Sequence, residues 1–336
     1  MSTSLRTTPN FPQGKPDEYI CLKDEPAFDA TRHLALTKPE SVFSLDDLGY
    51  KEEEVHACPS SLALTSAFRI FSDEGVAVMQ ELAMRMKSNR NQAAATGANR
   101  LGSYIRGAGY RSQFVRDFCD CPEWLDFLSE LAGVRLGRHS VPAVACGINY
   151  APEDITRAID TWHVDSVSFD SVILLNDPTT FEGGEFQYFH GTKAEGEALL
   201  GVSGETGTQS GLPVERVSSM NFPAAGYGFI QQGNMVFHRA CRLLAYAERT
   251  TLLPSFVVLE ADKDDGTNVA VMSKWADPGM LAELARHEAW QTCGRLQRLI
   301  DSLPLDASPK IIAAETEAAI ADISCYAAQL RSESPH

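Results

Sequence analysis

Residues 161–166 read Thr161-Trp162-His163-Val164-Asp165-Ser166, and this stretch decides how the rest of the chain is arranged. His163 and Asp165 stand two positions apart, and such side chains point to the same face of an extended strand. A second histidine, His238, stands in the later stretch Gly233-Asn234-Met235-Val236-Phe237-His238-Arg239. Two imidazoles and one carboxylate can occupy one face of an octahedral metal ion and leave its other positions open. The pattern therefore predicts a metal site made by His163, Asp165 and His238.

The neighbouring sequence matters, because a His-x-Asp pair alone is common in proteins that bind no metal. After His238 come ten residues and then Arg249-Thr250-Thr251, at the start of an apolar, strand-like run. Upstream lies Gly183-Gly184-Glu185, whose glycines permit a tight turn that side chains would block. Taken in order, these features resemble the Fe(II)/2-oxoglutarate-dependent oxygenase superfamily, and the resemblance covers about residues 145 to 258.

The resemblance implies Fe(II) as the metal, 2-oxoglutarate as co-substrate and O2 as oxidant. The far carboxylate of 2-oxoglutarate needs a cation, and the planar guanidinium of Arg249 can bind a carboxylate through two parallel hydrogen bonds. Thr251 lies two residues along the same strand face and could add a hydroxyl group. Asn149 and Tyr150, at the end of a predicted strand over residues 141–150, are further candidates for holding the co-substrate. A strand-end hydrogen bond is their equally good alternative role.

The implied reaction is oxidation of an unactivated C–H bond with release of succinate and CO2. Related halogenases replace the carboxylate ligand by a small residue, and because Asp165 is present we expect no halogenation. The stretches Phe181 to Thr192 and Gln231 to Ala240 look similar to a smaller group that acts on free amino acids and includes fungal enzymes that close an aziridine ring. We therefore expect hydroxylation, desaturation or oxidative cyclisation of a free amino acid or a derivative.

Two other functions use the same residues. A metal-dependent hydrolase or isomerase of the cupin type could hold Zn or Mn with the same two histidines and aspartate, without oxygen chemistry. A jelly-roll binding protein without activity could retain the fold. Arg249 and Thr251 separate these alternatives from the oxygenase, because only the oxygenase needs a cation for a dicarboxylate co-substrate.

Composition excludes several classes of partner. The net charge of -16 argues against nucleic acid, since proteins that bind it usually carry a basic stripe. No apolar run is long enough to span a bilayer, and no basic-then-apolar segment typical of a secretory signal opens the chain. The eight cysteines are scattered, which fits reduced thiols in a cytosol. We therefore expect a cytoplasmic protein that acts on a small-molecule substrate.

The predicted fold is mainly β with flanking helices, around a double-stranded β-helix core of the jelly-roll, cupin-like type. Short β-branched and aromatic segments bounded by turn residues indicate its strands, among them Trp162 to Val167 and Thr250 to Val258, and Gln232-Gly233-Asn234 looks like a hairpin turn. An apolar repeat at helical spacing over Phe71 to Met84 predicts a helix with Ser72 as its N-cap. Two further helices at the C-terminal end could pack on the core or form a homodimer contact. The expected regions are an irregular N-terminal arm (1–60), a helical support (61–140), the jelly-roll catalytic core (141–260) and C-terminal helices (261–336).

Three arginines are candidates for binding a substrate carboxylate. Arg106 and Arg111 belong to an Arg-rich, loop-like stretch over residues 89–111 that could cover the metal; a solvated loop is the alternative. Arg239 follows the third ligand, and its alternative role is that of an outward-facing strand residue. His190, at a predicted strand end, is the one remaining histidine that could replace a ligand. A polar, Gly- and Ser-rich stretch over 192–220 is expected to form a loop near the mouth of the site.

Overall fold

The computed structural model describes residues 5–89, 91–92, 102–203 and 211–333. Within these residues the chain alternates short strands with helices, and most helices lie before or after the sheet-rich part. The strands are β1 (Val42–Ser44), β2 (Leu62–Thr65), β3 (Phe68–Arg69), β4 (Asn91–Gln92), β5 (Ser103–Ile105), β6 (Leu136–Arg138), β7 (Cys146–Tyr150), β8 (Asp160–His163), β9 (Phe169–Leu174), β10 (Phe186–Phe189), β11 (Val217–Ser219), β12 (Tyr227–Gln232), β13 (His238–Ala240) and β14 (Thr250–Val258). The helices are α1 (Ala30–His33), α2 (Glu52–Ala57), α3 (Asp73–Met86), α4 (Ala108–Arg111), α5 (Gln113–Cys119), α6 (Pro122–Ala132), α7 (Pro142–Ala145), α8 (Lys193–Ser203), α9 (Val269–Met272), α10 (Met280–Ser302) and α11 (Pro309–Glu333).

Two antiparallel sheets are built from these strands. The large sheet has the order β1-β2-β12-β9-β14-β7-β5-β4, with β3 beside β12 and β6 beside β14. The small sheet has the order β11-β10-β13-β8. From β7 onward the chain passes back and forth, so that β7, β9, β12 and β14 lie in the large sheet and β8, β10, β11 and β13 in the small one. This is the jelly-roll arrangement, so the predicted fold class is confirmed.

Alternation along the strands of the large sheet separates two environments. Side chains on the outer face of the sheet pack against α3, α5 and α6. The main core on this face contains Phe118, Trp124, Ile148, Ile173 and Phe256. Side chains on the inner face of the sheet point toward the small sheet. At one end of this interior they form a second apolar cluster, in which Val172 and Phe229 of the large sheet meet Phe186 of the small sheet. At the other end of the interior, the inward-pointing residues of the strands are polar, and they line a cavity.

The strands that carry the two histidines are shorter than the sequence predicts. β8 ends at His163, whereas the pattern predicts a strand over Trp162 to Val167, and β13 begins only at His238. Asp165 therefore stands in the turn after β8 and not on the strand. The backbone N–H of Asp165 donates to the carbonyl of Gly233, 2.9 Å away, so the turn is tied to the opposite connection. The side chains of His163 and Asp165 therefore lie side by side because of this turn, and not because they alternate along one strand.

The predicted hairpin turn at Gln232-Gly233-Asn234 is a turn but closes no hairpin. The N–H of Met235 donates to the carbonyl of Gln232, 2.9 Å away. The two flanking strands, β12 and β13, then enter different sheets. A turn pattern specifies a local reversal of the backbone, whereas the sheet joined by the next strand depends on which face of that strand must be buried. The prediction of a hairpin is therefore wrong.

The regions around the core follow the predictions in part. α3 begins where predicted, and the hydroxyl of Ser72 accepts from the N–H of Gly75 as an N-cap. Within the expected irregular arm, α1, α2 and β1 form, and β1 pairs with β2 at the edge of the large sheet. The 192–220 stretch is not only loop, since α8 occupies its first part; residues 204–210 lie outside the described part. Much of the Arg-rich stretch over 89–111 also lies outside it.

α10 and α11 form the predicted pair of C-terminal helices. α10 contacts the core through Met280 and Leu284, which pack with Val141 beside α7. α11 covers part of α10, and Tyr326 of α11 donates through its hydroxyl to the carbonyl of Leu281. A homodimer through these helices stays a prediction. Among the residues described, no helix has both the length and the apolar character needed to cross a bilayer.

Candidate metal centre

The three predicted ligands meet at the wall of the cavity between the sheets. His163 and His238 face each other as cross-strand partners in the small sheet, with ring centroids 4.1 Å apart. The carboxylate of Asp165 bridges them: Oδ1 lies 3.4 Å from Nε2 of His163 and Oδ2 lies 3.3 Å from Nε2 of His238. One donor atom from each side chain lies within 4.8 Å of the other two. Within the described ranges this is the one group of histidine, cysteine and acidic side chains with metal-site geometry.

Backbone carbonyls hold both imidazoles in the tautomer that a metal requires. Nδ1 of His163 lies 2.6 Å from the carbonyl of Thr161, and Nδ1 of His238 lies 2.8 Å from the carbonyl of Val236. A carbonyl only accepts, so each Nδ1 carries the hydrogen and each Nε2 keeps its lone pair. Both Nε2 atoms point toward Asp165. Outer hydrogen bonds of this kind fix ring orientation in metal sites.

A β-bulge brings another carboxylate to the same place. His238 pairs with His163 and Ala240 pairs with Asp160, so two steps along β13 oppose three steps along β8. The extra residue lets Asp160 and His163 face the cavity together, although an odd separation would normally send them to opposite faces. Oδ2 of Asp160 lies 3.5 Å from Nε2 of His163.

Electrostatics keep the ligand carboxylate ionised. Burial alone would raise the pKa of Asp165, but the imidazoles of His238 and His163 outweigh burial and hold that pKa well below its usual value. The ionised carboxylate and the Nε2 atoms of the two imidazoles offer a metal a donor set of one oxygen and two nitrogens. That set suits Fe(II), and zinc could also bind it. The residues present therefore fit the metal that the family resemblance implies.

Gly233 leaves the space that the ligand carboxylate occupies. A Cβ atom on this residue would lie 2.2 Å from Oδ2 of Asp170 and 2.4 Å from Oδ2 of Asp165. We expect Gly233→Ala to displace Asp165 and to weaken Co(II) binding at least about 10-fold, as loss of an outer-shell contact does. Gly201→Ala on α8 is the control, because a Cβ there meets nothing within 4 Å. Calorimetric titration with Co(II) measures both; equal affinities in the two variants would contradict this role for Gly233.

Arg249 is a buried cation that forms no salt bridge with the described residues, although Cys241 and Glu185 interact with it at longer range. It is 2% exposed, lines the cavity, and its Nε has no hydrogen-bond partner within the described ranges. Burial lowers the pKa of Arg249 to about 10, so the guanidinium stays charged at neutral pH. A buried charge without a counter-ion is costly, and an anionic ligand in the cavity would offset that cost. Gly184 makes room for this side chain, since a Cβ there would lie 2.7 Å from Cδ of Arg249.

Thr251 and Asn149 lie beside Arg249, whereas Tyr150 does not. Thr251 and Asn149 are cross-strand partners on β14 and β7, and both line the cavity. Tyr150 is the next residue along β7 and so points to the other face of the sheet. There it is fully buried in the main core, and its hydroxyl donates to the carbonyl of Ala83, 2.7 Å away. Tyr150 therefore does not reach the cavity, because neighbouring residues on a strand face opposite sides.

The three candidate arginines for a substrate carboxylate have different surroundings. Arg106 lies at the cavity wall, ion-paired with Asp277 at 2.7 Å and with its guanidinium 3.8 Å from the ring centre of Trp275. Arg239 is buried, not outward-facing; it lines the cavity and donates to Oε1 of Gln187. Arg111 is not among the residues that line the cavity.

Arg111 instead lies over the ring of Tyr19, 5.2 Å from its centre. His190 also stands apart from the triad: its Nε2 lies 2.6 Å from the hydroxyl of Ser218. The structure thus brings Arg106 and Arg239 to the cavity with the triad, and it leaves Arg111 and His190 elsewhere.

Two polar residues of the large sheet were not predicted to belong to the site. Asp170 on β9 and Gln231 on β12 line the cavity opposite the histidines, and both are buried. The sequence contained a signal, because Asp170 shares one face of its strand with the apolar Val172 and Leu174. A charged residue on the inward face of such a strand is rarely buried without a partner.

Comparisons with known proteins give similarity to solved structures only: no protein-family model matches the sequence, and no curated protein matches it. The non-heme alpha ketoglutarate dependent epimerase SnoN from nogalamycin biosynthesis is 16% identical, with a TM-score of 0.41 over 62% of this chain and 84% of that one. The carbocyclase SnoK from the same biosynthesis is also 16% identical, with a TM-score of 0.41 over 70% and 94%. A prolyl-4-hydroxylase from Pseudomonas putida is 14% identical, with a TM-score of 0.38 over 63% and 96%. These are the proteins to which the chain is similar, and their reactions are their own.

Proposed function

We propose that this chain is an Fe(II)/2-oxoglutarate-dependent oxygenase that oxidises an unactivated C–H bond of a small molecule. The observation that carries the proposal is one cavity with two features: the triad of His163, Asp165 and His238, and the buried, unpaired Arg249. A metal hydrolase or isomerase would need the triad but would have no use for a buried cation on the opposite sheet. A dicarboxylate co-substrate needs both.

Each residue has a defined task in this proposal. His163, Asp165 and His238 would hold Fe(II), and the carbonyls of Thr161 and Val236 keep the imidazoles in the binding tautomer. Arg249 would bind the far carboxylate of 2-oxoglutarate, with the hydroxyl of Thr251 and the amide of Asn149 as neighbouring polar groups. When bound, the iron with 2-oxoglutarate and O2 supplies the oxidation of the C–H bond, with succinate and CO2 as co-products.

The burial of these groups serves the chemistry. Arg249 and Thr251 are 2% and 3% exposed, so water is largely excluded from the co-substrate end of the cavity. Charge-assisted hydrogen bonds are stronger in such an environment than in water. The part of the cavity lined by Arg106 and Trp275 would hold the substrate.

The substrate we propose is a free amino acid or a small derivative, converted by hydroxylation, desaturation or oxidative cyclisation. The cavity wall beyond the triad carries charges of both signs, with Asp160 and Asp170 on one hand and Arg106 and Arg239 on the other. Such a wall suits a zwitterion better than an apolar or a polyanionic molecule. The net charge of -16 also argues against nucleic acid as the substrate.

The test begins with the metal-loaded protein in the absence of O2. Adding 2-oxoglutarate to the Fe(II) protein should produce the charge-transfer absorption of the iron with its bound oxo-acid. If no such band forms, 2-oxoglutarate is not the co-substrate, and the Zn- or Mn-dependent hydrolase or isomerase becomes the better assignment.

The second step is succinate formation with O2 and a panel of free L-amino acids. We expect one panel member to raise succinate well above the uncoupled background, and Asp165→Ala to abolish the signal. Mass spectrometry of the product then separates gain of oxygen from loss of two hydrogens. A charge-transfer band without stimulation by any panel member would retain the oxygenase and reject the amino acid.

A further inference from the structure

A glutamine on the large sheet reaches the carboxylate of the metal triad. Gln231 on β12 is fully buried, and its Nε2 lies 3.3 Å from Oδ2 of Asp165. The same nitrogen lies 3.0 Å from Oδ1 of Asp170, a buried aspartate on the adjacent β9. It also lies 3.5 Å from Nε2 of His238. One amide group therefore contacts two members of the triad and a further carboxylate outside it.

The two hydrogens of this amide identify its hydrogen bonds. Nε2 of His238 must keep its lone pair for a metal, so the acceptors available to Gln231 are the two carboxylates of Asp165 and Asp170. With the amide turned over, Oε1 would face both carboxylates and be repelled by them. In this orientation Oε1 has no hydrogen-bond partner within the described ranges, and both N–H groups face carboxylate oxygens.

We propose that Gln231 is a positioning residue for the metal site: its amide, oriented by Asp170, holds Asp165 in the rotamer that presents one oxygen to each histidine. The observed distances fit this role, since Oδ1 of Asp165 faces His163 and Oδ2 faces both His238 and the amide. Asp170 acts through Gln231 and needs no contact with the metal. It lies outside the group of donor atoms that meet within 4.8 Å.

The location of Asp165 explains why such a support is needed. His163 and His238 stand on paired strands, and their rings are fixed by backbone carbonyls. Asp165 stands in the turn beyond β8, where no strand ladder determines the direction of its side chain. Gln231 approaches from the opposite sheet, so it ties the turn that carries the ligand to the rigid part of the fold.

A double-mutant cycle with Co(II) as the probe tests this inference, which rests on the proposed metal site and not on the substrate. Gln231→Met removes the donor at nearly constant length, Asp170→Asn removes the charge that orients the amide, and a third variant combines both. Gln232→Met is the matched control: it is the same substitution on the same strand at a fully buried residue that does not line the cavity. Titration measures the Co(II) affinity, the visible spectrum reports the geometry of the bound Co(II), and thermal unfolding of the metal-free proteins reports the fold.

We expect Gln231→Met to weaken Co(II) binding roughly 10- to 100-fold and to change the Co(II) spectrum, as losses of outer-shell partners do. Asp170→Asn should weaken binding less, and the double variant should bind like Gln231→Met alone, because Asp170 acts through the amide. Wild-type affinity in Gln231→Met would overturn the proposal, and so would additive effects in the double variant. Failure of the wild type to bind Co(II) would overturn the metal site itself. If Gln231→Met does not fold, Gln231→Leu, which also lacks the amide donor, takes its place in the cycle with the same expected order.

Discussion

Replacing His238 with alanine is expected to abolish succinate formation and to lower the affinity for Fe(II) or Co(II) at least about 100-fold, more than the loss of an outer-shell partner. His238 supplies one of three donor atoms, and Nδ1 is already committed to the carbonyl of Val236. No other histidine stands within reach of the triad in the described part of the chain. Metal affinity is measured by anaerobic titration and activity by succinate.

His190→Ala is the matched control for this prediction. It removes an imidazole from the end of β10, the strand that pairs with β13 in the same small sheet. Its ring contacts the hydroxyl of Ser218 and does not line the cavity. We therefore expect His190→Ala to bind metal like the wild type. If both variants lost metal affinity equally, damage to the small sheet, and not removal of a ligand, would explain the effect.

Replacing Arg249 with methionine is expected to weaken 2-oxoglutarate binding by about 2–4 kcal/mol, or roughly 30- to 1,000-fold, as removal of one partner from a buried charge pair does. The same change should leave the ligand-free protein at least as stable as the wild type. Arg249 is buried without a counter-ion within the described residues, and an apolar side chain of similar length removes that cost. Metal affinity should stay unchanged. Anaerobic titration with 2-oxoglutarate and thermal unfolding measure the two effects.

Arg138→Met provides the opposite case. Arg138 is also 2% exposed, but it pairs with Asp120 at 2.7 Å and donates to the carbonyls of His139 and Pro9. We expect this substitution to reduce the free energy of unfolding by about 2–3 kcal/mol, because buried acceptors lose their donor, and to leave 2-oxoglutarate affinity intact. If Arg249→Met destabilised the free protein as much as Arg138→Met does, Arg249 would be a structural residue and the co-substrate role would fail.

The predictions from the sequence succeeded where the structure of a segment depends on the residues of that segment alone. α3 begins after the N-cap Ser72, and the apolar repeat over its length matches the buried residues. β14 spans Thr250–Val258 as predicted, because β-branched and aromatic residues favour an extended chain over that length. Thr251 lies on this strand and Arg249 directly precedes it, and both line the cavity, as period-2 spacing predicts.

The predictions failed where the outcome depended on partners that are distant in sequence. Trp162 to Val167 alternates like a strand, yet β8 stops at His163, since β13, the one described strand beside it in the small sheet, is three residues long. From the sequence, Tyr150 and Asn149 are equally good candidates for holding the co-substrate. The pairing of β7 decides that Asn149, and not Tyr150, faces the cavity. Arg106 carries the right charge for a substrate carboxylate, but only the fold reveals its ion pair with Asp277.

The sequence by itself determined the fold class and the candidates His163, Asp165, His238 and Arg249, because each depends on residue type and on short, regular spacing. The tertiary structure alone decided which residues support that site. Asp160 faces the cavity because of a β-bulge, and Asp170 and Gln231 lie on the opposite sheet. No periodic pattern in the sequence links these residues to Asp165. The physical reason is that strand pairing sets the face and the depth of every side chain in the cavity, and pairing between distant segments is fixed only when the two sheets close on each other.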